Sequence, residues 1–479
     1  MSDKFYLTTT LPYINADPHM GHALEFVYAD IISRYHRLIG NDVFFNTGTD
    51  EHGIKVYRKA CEAGELPMKY ADKYSKRFKE MLKILNVSEH AFIRTTDESH
   101  IRAAQEMWKR CFDNGFIEKK LYKGKYCVGC ELEKTDSELD HGKCSIHQNL
   151  ELEIIAEENY VFNFSEFGDK LLDFYKDNPE FVVPNSRFNE IKKFVERGLK
   201  DFSISRLKEK MPWGIAVPGD PDHIMYVWFD ALTSYVSTLG WPKDNKKFKE
   251  FWGTLEKPNA IQIAGKDNPR QQSAMWQAML MAAGLPTSKQ IFIHGFITSG
   301  GVKMSKSLGN VIDPIEVARE FGADALRYYL AREVSSFEDG DFTKERFVEA
   351  YNANLANGLG NLVARIMKMA EDHLDTPVDI STTREMLEVS SFIRDFKFNR
   401  AMYSIWSYIQ GLDRLIDEQK PFKVIKENKV AARKQIKYLV IELARIAKNI
   451  EPFLPDTSFK ILKAIKENKM PETLFPRID

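Results

Sequence analysis

At 479 residues, with 43% hydrophobic residues and 12% aromatics, the chain is long enough for two or more packed domains. Charged residues make up 29% with a net charge of −1, no apolar run reaches membrane-spanning length, and Met1-Ser2-Asp3-Lys4 does not read as a signal peptide, which predicts neither a membrane partner nor secretion. Five cysteines are too few for a disulfide framework, so a reducing, cytoplasmic setting is expected.

Phe5–Leu11, aromatic and β-branched, reads as a buried strand closed by Pro12. Leu24, Val27, Tyr28, Ile31, Ile32, Tyr35 and Leu38 recur at helical spacing, and Gly40 is a stop. A second strand follows at Val43–Asn46. Strand, helix and strand in this order predict a crossover unit and a parallel sheet. Residues 116–225 change character, carry the cysteine cluster and read as an insertion. Cys61 and Cys111, on helical stretches outside it, are expected in the core. Alternation resumes near Tyr226: Gln262–Ala264 as strand, Ser273–Ala282 as helix, Ile291–His294 as strand. From about Ala350 the pattern is helical throughout, with Ala432–Ile450 as one amphipathic helix stopped by Pro452 and Pro455.

The predicted fold is therefore α/β, a doubly wound parallel nucleotide-binding sheet split by an insertion and followed by an all-α bundle. Its expected divisions are 1–115 and 226–349 for the two halves of the sheet domain, 116–225 for the insertion and 350–479 for the helices. Charge is uneven along it: 394–479 holds 18 basic and 11 acidic residues, a net +7, and the remainder −8. A basic tail suits a polyanion, although ordinary solvated helix faces give the same count.

Two strings carry chemistry. His19-Met20-Gly21-His22 lies between a strand and a helix, where a helix amino terminus attracts phosphate; Gly21 permits close approach and the imidazoles can donate to an anion. By itself it is equally a turn with surface histidines. Lys303-Met304-Ser305-Lys306-Ser307 follows Thr298-Ser299-Gly300-Gly301, a glycine-containing loop whose lysines can close on a triphosphate. Separately, Cys127-Val128-Gly129-Cys130 and Cys144-Ser145-Ile146-His147 are two short pairs thirteen residues apart. Three thiolates and an imidazole suit a closed, structural tetrahedral Zn²⁺.

The histidine and lysine strings together resemble the signatures of class I aminoacyl-tRNA synthetases. Leu11–Asn15, Gly48–Gly53, Lys200–Arg206, Trp228–Ala231 and Gly265-Lys266-Asp267 narrow the resemblance to methionyl-tRNA synthetases. It implies a ligase that activates L-methionine with ATP and Mg²⁺ and loads a methionine tRNA with a CAU anticodon, so RNA and not DNA is the expected nucleic acid. His19, His22, Lys303 and Lys306 would grip the phosphates, with Gly21 and Gly265 at the nucleotide and Asp267 on the ribose. Asp50 matches the carboxylate that holds the amino acid's ammonium. Trp228 and Tyr235, completed by Leu11 and Ala231, match the side-chain pocket. Gln272 departs from the pattern, since many relatives place a histidine there. The cysteine pairs resemble the single zinc knuckle of many methionyl enzymes.

Asn361 and Arg365 match the residues that contact the anticodon, where unpaired bases are read by their edges. The stacking tryptophan usual near the carboxyl end is missing, the last one being Trp406, and no appended tRNA-binding module is evident. Three other readings fit less well. A cysteinyl-type ligase would spread its zinc ligands around the sheet, and leucyl, isoleucyl or valyl enzymes need room for an editing domain. A non-catalytic RNA-binding paralogue should have lost His19, His22 or Lys306.

Overall fold

The computed structural model describes residues 3–478 except 131, 135–138, 146–147, 305–309, 382 and 384–385. Its contacts divide the chain into two compact units. One comprises Met1–Asp17, Asn41–Lys79 and Glu89–Ile293, the other Pro18–Gly40, Glu80–Ser88 and His294–Asp479.

The first unit is built on a six-stranded sheet. β1 (Lys4–Thr8), β2 (Asp42–Thr49) and β3 (Ala91–Arg94) form one side in the order β3-β2-β1, and strands Ala260–Gly265, Gln290–His294 and Val182–Val183 continue it beyond β1. β1 pairs in parallel with both β2 and Ala260–Gly265. Chain order therefore reverses beside β1, the switch point of a doubly wound sheet, where carboxyl ends of strands leave a crevice for ligand. The residues of β1 are largely buried, as its run of Phe5, Tyr6 and Leu7 requires. Tyr6 lies tilted against Trp252, which meets Trp276 edge-on, and Trp108 meets Phe229 edge-on, so aromatic rings fill the interior.

The insertion is a second, antiparallel sheet. Ile117–Cys127 pairs with Glu153–Phe162 along its length, with Leu132–Lys134 on one side and Phe202–Ser203 on the other. Cys127 ends the long strand, and Leu139–Asp140 pairs with Lys143–Cys144 in a short hairpin.

Two expectations change. The helix read as Ser273–Ala282 opens with a π-helical turn, Gln271–Met275, before the α-helix Trp276–Ala282. A wider turn leaves backbone carbonyls without their usual partners. Here the Tyr175 hydroxyl donates to the Ser273 carbonyl at 2.6 Å and the side-chain Nε2 of Gln277 to the backbone carbonyl of Gln272 at 2.8 Å. Cys61 is exposed, whereas Cys111 is buried. The helix Ile54–Glu62 buries Val56 and Ala60, and position 61 is one residue off that face.

In the second unit, α1 (Met20–Leu38) packs on the helix Ala323–Arg332, and every described element from Lys344 onward is helical. A π-helical stretch, Tyr351–Gly360, leads directly into Asn361–His373. Arg327, on the helix Ala323–Arg332, is fully buried against Asp30, 2.7 Å away. It also donates to the carbonyls of Leu85, Pro452 and Phe453. Burial pushes the Asp30 carboxyl up, but the charges of Arg327 and Arg34 and bonds from Ser88 outweigh it and hold the pKa below the usual aspartate value. Arg327→Met should cost about 3–5 kcal/mol near neutral pH, because a buried carboxylate loses its main counter-charge. The lost partner leaves burial less opposed and raises the pKa of Asp30, so the gap from wild type should narrow as pH falls through that raised value toward the depressed wild-type one. Urea denaturation followed by circular dichroism at neutral and acidic pH checks both statements.

Candidate active site

Parallel pairing carries Asp50 and the segment after β1 together. The Asp50 amide donates to the Pro12 carbonyl at 3.0 Å and the Ile14 amide to the Asp50 carbonyl at 3.3 Å. Leu11, Tyr13 and the buried Asp50 thus share one edge of the sheet. Trp228 and Ala231 lie on the short helix Val227–Leu232, and Tyr235 on Ser234–Ser237. The Trp228 ring meets Tyr13 edge-on, centroids 6.0 Å apart. Leu11, Asp50, Trp228, Ala231 and Tyr235 all belong to the first unit, with Asp50, Ala231 and Tyr235 buried.

Gln272 is buried in the π-helical turn, and its amide donates to the Tyr235 hydroxyl at 2.7 Å. Its carbonyl oxygen accepts from Gln262 at 3.0 Å, and Gln262 accepts in turn from the Ser288 hydroxyl. Sequence reasoning singled out Gln272 but not Gln262, which has no motif around it. Four further buried side chains went unassigned: Glu51, His52, His100 and Asp230. Glu51 accepts from Thr49 at 2.7 Å, Arg94 at 2.7 Å and Thr96 at 2.6 Å. Both carboxylate oxygens of Asp230 meet imidazoles, those of His52 and His100. Glu51, His52 and Asp230 stand inside the recognised strings, whereas His100 gives no sequence signal.

In the second unit the histidine string forms the start of α1. The Gly21 amide donates to His19 Nδ1 at 3.1 Å, and the His19 amide to His22 Nδ1 at 3.2 Å, closing a capping box made of two imidazoles stacked 3.7 Å apart. A Cβ at Gly21 would lie 3.0 Å from the His19 ring, so glycine keeps the stack possible. Burial, then the neighbouring His19, pushes the His22 pKa well below the usual imidazole value. A neutral ring that accepts at Nδ1 donates at Nε2, the group an anionic oxygen needs.

The loop strand Val302–Lys303 pairs with Ile297–Ser299 across Gly300 and Gly301, both at positive φ (63° and 75°), as a tight hairpin requires. The Gly301 amide and the Thr298 hydroxyl both donate to Asp341, at 2.9 and 2.8 Å. Lys306 lies outside the described residues. In the first unit, Gly265 ends its strand and Asp267 is exposed just beyond.

The Sγ atoms of Cys127, Cys130 and Cys144 all lie within 4.8 Å of one another, with Cys130 and Cys144 3.6 Å apart. Thiolates 2.3 Å from a tetrahedral cation stand roughly 3.8 Å apart, so the three fit such an ion. Burial pushes the Cys130 thiol up to about 12, an unfavourable setting for a thiolate unless a cation joins it. His147, the fourth expected ligand, lies outside the described residues.

The model for class I tRNA synthetases of the M type matches residues 5–149 and 130–367. A methionine–tRNA ligase from Thermosynechococcus vestitus is 40% identical over 96% of this chain and 89% of its own. One from Thermotoga maritima is 37% identical over 98% of this chain and 76% of its own. The Mycobacterium tuberculosis methionyl-tRNA synthetase in complex with methionyl-adenylate superposes with a TM-score of 0.89 at 34% identity, over 100% of this chain and 99% of that one. The chain belongs to the methionyl class I tRNA synthetases.

The helical region of the second unit holds the last expected residues. Asn361, exposed, opens the helix Asn361–His373. Arg365, one turn on, donates to Asp413 and Asp417 of the helix Phe398–Gln419, both at 2.5 Å.

Cys130→Ser removes a ligand from the thiol cluster while leaving the long antiparallel pairing intact. The native protein should carry about one divalent cation per chain and the variant much less than one. Elemental analysis of both, beside their circular dichroism, tests this; a metal-free native protein would overturn the site.

Proposed function

We propose that the protein works as its family does, as a methionine–tRNA ligase. It activates methionine with ATP to methionyl-adenylate and pyrophosphate, then esterifies the 3′ end of the methionine tRNA. The observation that carries this is the full-length likeness to a synthetase in complex with methionyl-adenylate. The buried carboxylate and aromatic wall on the sheet's carboxyl edge support it further.

Asp50 holds the ammonium of methionine by a charge-assisted contact, and Trp228, Tyr235, Leu11, Ala231 and Gln272 enclose the side chain. The methionine carboxylate attacks the α-phosphorus in line, an anhydride to phosphorus forms, and the α–β bridging oxygen leaves with pyrophosphate. Catalysis here is positioning and charge stabilisation. His19 and His22 act as Nε2–H donors, Lys303 and Lys306 as cations, with Gly21 and Gly265 admitting the nucleotide and Asp267 binding its ribose. Mg²⁺ supplies further positive charge on the triphosphate. In the second step the terminal 2′-hydroxyl attacks the carbonyl carbon and AMP leaves.

Residues 1–115 and 226–349 make up the catalytic domain. In the insertion, 116–225, Cys127, Cys130, Cys144 and His147 hold a structural Zn²⁺. Residues 350–479 bind the anticodon through Asn361 and Arg365. Among the described residues no helix is long and apolar enough to cross a membrane, and the enzyme works in the cytoplasm.

ATP–pyrophosphate exchange run with each amino acid should respond to methionine alone. In the same assay Lys306→Ala should be slower by on the order of a hundredfold, since its charge is needed most as pyrophosphate departs, with methionine binding little changed. Near-normal exchange by that variant would remove Lys306 from the mechanism.

The anticodon assignment predicts a split between the two steps. Asn361→Ala combined with Arg365→Ala should leave exchange normal but reduce tRNA charging by about thirtyfold or more, at roughly 1–3 kcal/mol for each of the two lost base contacts. Parallel loss of both activities would mean damage to the fold instead.

A further inference from the structure

The residues proposed to hold methionine come from separate segments, and one buried carboxylate joins those segments. Asp50 follows β2, Trp228 and Ala231 sit on Val227–Leu232, and Tyr235 sits on Ser234–Ser237. Asp230 lies two residues after Trp228. Its Oδ2 is 2.7 Å from Nδ1 of His52, two residues after Asp50. Its Oδ1 is 2.6 Å from Nε2 of His100, on the helix Glu98–Asp113. His100 Nδ1 is 3.0 Å from Oγ of Ser237, two residues after Tyr235. All four side chains are buried, Asp230 and His100 completely.

Burial pushes the Asp230 carboxyl up, but the charge of His52 and the bonds from both imidazoles outweigh it and hold the pKa below the usual value. An ionised carboxylate only accepts, so His52 and His100 both donate to it. A cluster that served the core alone would have no reason to choose its members. This one takes a neighbour, two positions on, of each of three pocket residues: Asp50, Trp228 and Tyr235.

We infer that Asp230 is a positioning residue, which by clamping His52 and His100 sets the separation between the ammonium site at Asp50 and the aromatic wall of Trp228 and Tyr235. The clamp thereby fixes the length of side chain that the pocket takes. This rests on the reading that those residues bind methionine. Asp230 acts through the imidazoles, each of which occupies one of its oxygens, and not on the reacting atoms.

Asp230→Asn keeps the size of the side chain but offers one acceptor oxygen in place of two, so one imidazole loses its partner. In ATP–pyrophosphate exchange the methionine KM should rise by about tenfold or more, the ATP KM should change by less than about twofold, and the rate at saturation should hold within about threefold. Ethionine, longer by one methylene, should gain on methionine in kcat/KM. Ser237→Ala and His100→Gln keep the carboxylate and should show the same pattern with a rise of about threefold. A merely stabilising cluster would change the active fraction and leave both the KM of the active enzyme and the ethionine ratio alone. Such a result in Asp230→Asn, or in the two milder variants if Asp230→Asn does not fold, would overturn the clamp and leave the methionine reading standing. Equal rises in both Michaelis constants would overturn it too. A wild type that exchanges with another amino acid in place of methionine would overturn the reading and the clamp together.

Discussion

The pairing of β1 with β2 does not stop where the two strands stop. Beyond Thr8 the Thr9 amide still donates to Asn46, and after Thr49 the Asp50 amide reaches the carbonyl of Pro12. Proline has no amide to give, so a strand ends there by one criterion, yet its carbonyl still accepts and the ladder continues on one side. That half-ladder brings Leu11, Tyr13 and Asp50 to a common edge. The other residues of the candidate site are assembled against it, through the contact of Tyr13 with Trp228.

Much of this was legible from residue order. Buried strands of Phe, Tyr, Leu and Ile, a parallel sheet implied by strand–helix–strand, and an insertion marked by its cysteines all follow from composition and spacing. The boundaries were less so. β2 was read as Val43–Asn46 but runs from Asp42 to Thr49, through Gly48. A Cβ there would lie 1.8 Å from the carbonyl oxygen of Ile93 in β3, so the glycine permits close approach and does not mark a turn. The π-helical turn at Gln271–Met275 leaves the apolar spacing almost unchanged, and no periodicity distinguishes it from α-helix. Around the candidate site, Glu51, His52 and Asp230 stand inside the quoted strings, whereas Gln262 and His100 carry no signal in the sequence. His100 is 130 residues from Asp230 in sequence, and only the folded chain brings them together.

Positive charge in the helical region is organised as well as abundant. Arg365 is held between Asp413 and Asp417, and although burial works against its charge, the two aspartates more than offset that and raise its pKa. A guanidinium already fixed in direction loses less rotamer freedom when it makes a further contact than one that swings in solvent. The π-helical stretch that ends at Gly360 leads straight into that helix, so Asn361 and Arg365 present themselves from its first turn.

The wall behind Tyr235 has a sense of direction. Ser288 donates to Gln262, Gln262 to Gln272 and Gln272 to Tyr235, so three dipoles point the same way and each polarises the next. To reverse the row, two amides and a hydroxyl would have to turn over in concert inside a packed core. An imidazole at position 272 could swap donor for acceptor by changing tautomer, or take up a proton. Glutamine can do neither. The row behaves as a one-way valve for polarity, and the direction it imposes on the Tyr235 hydroxyl is insulated from swings in the acidity around the protein.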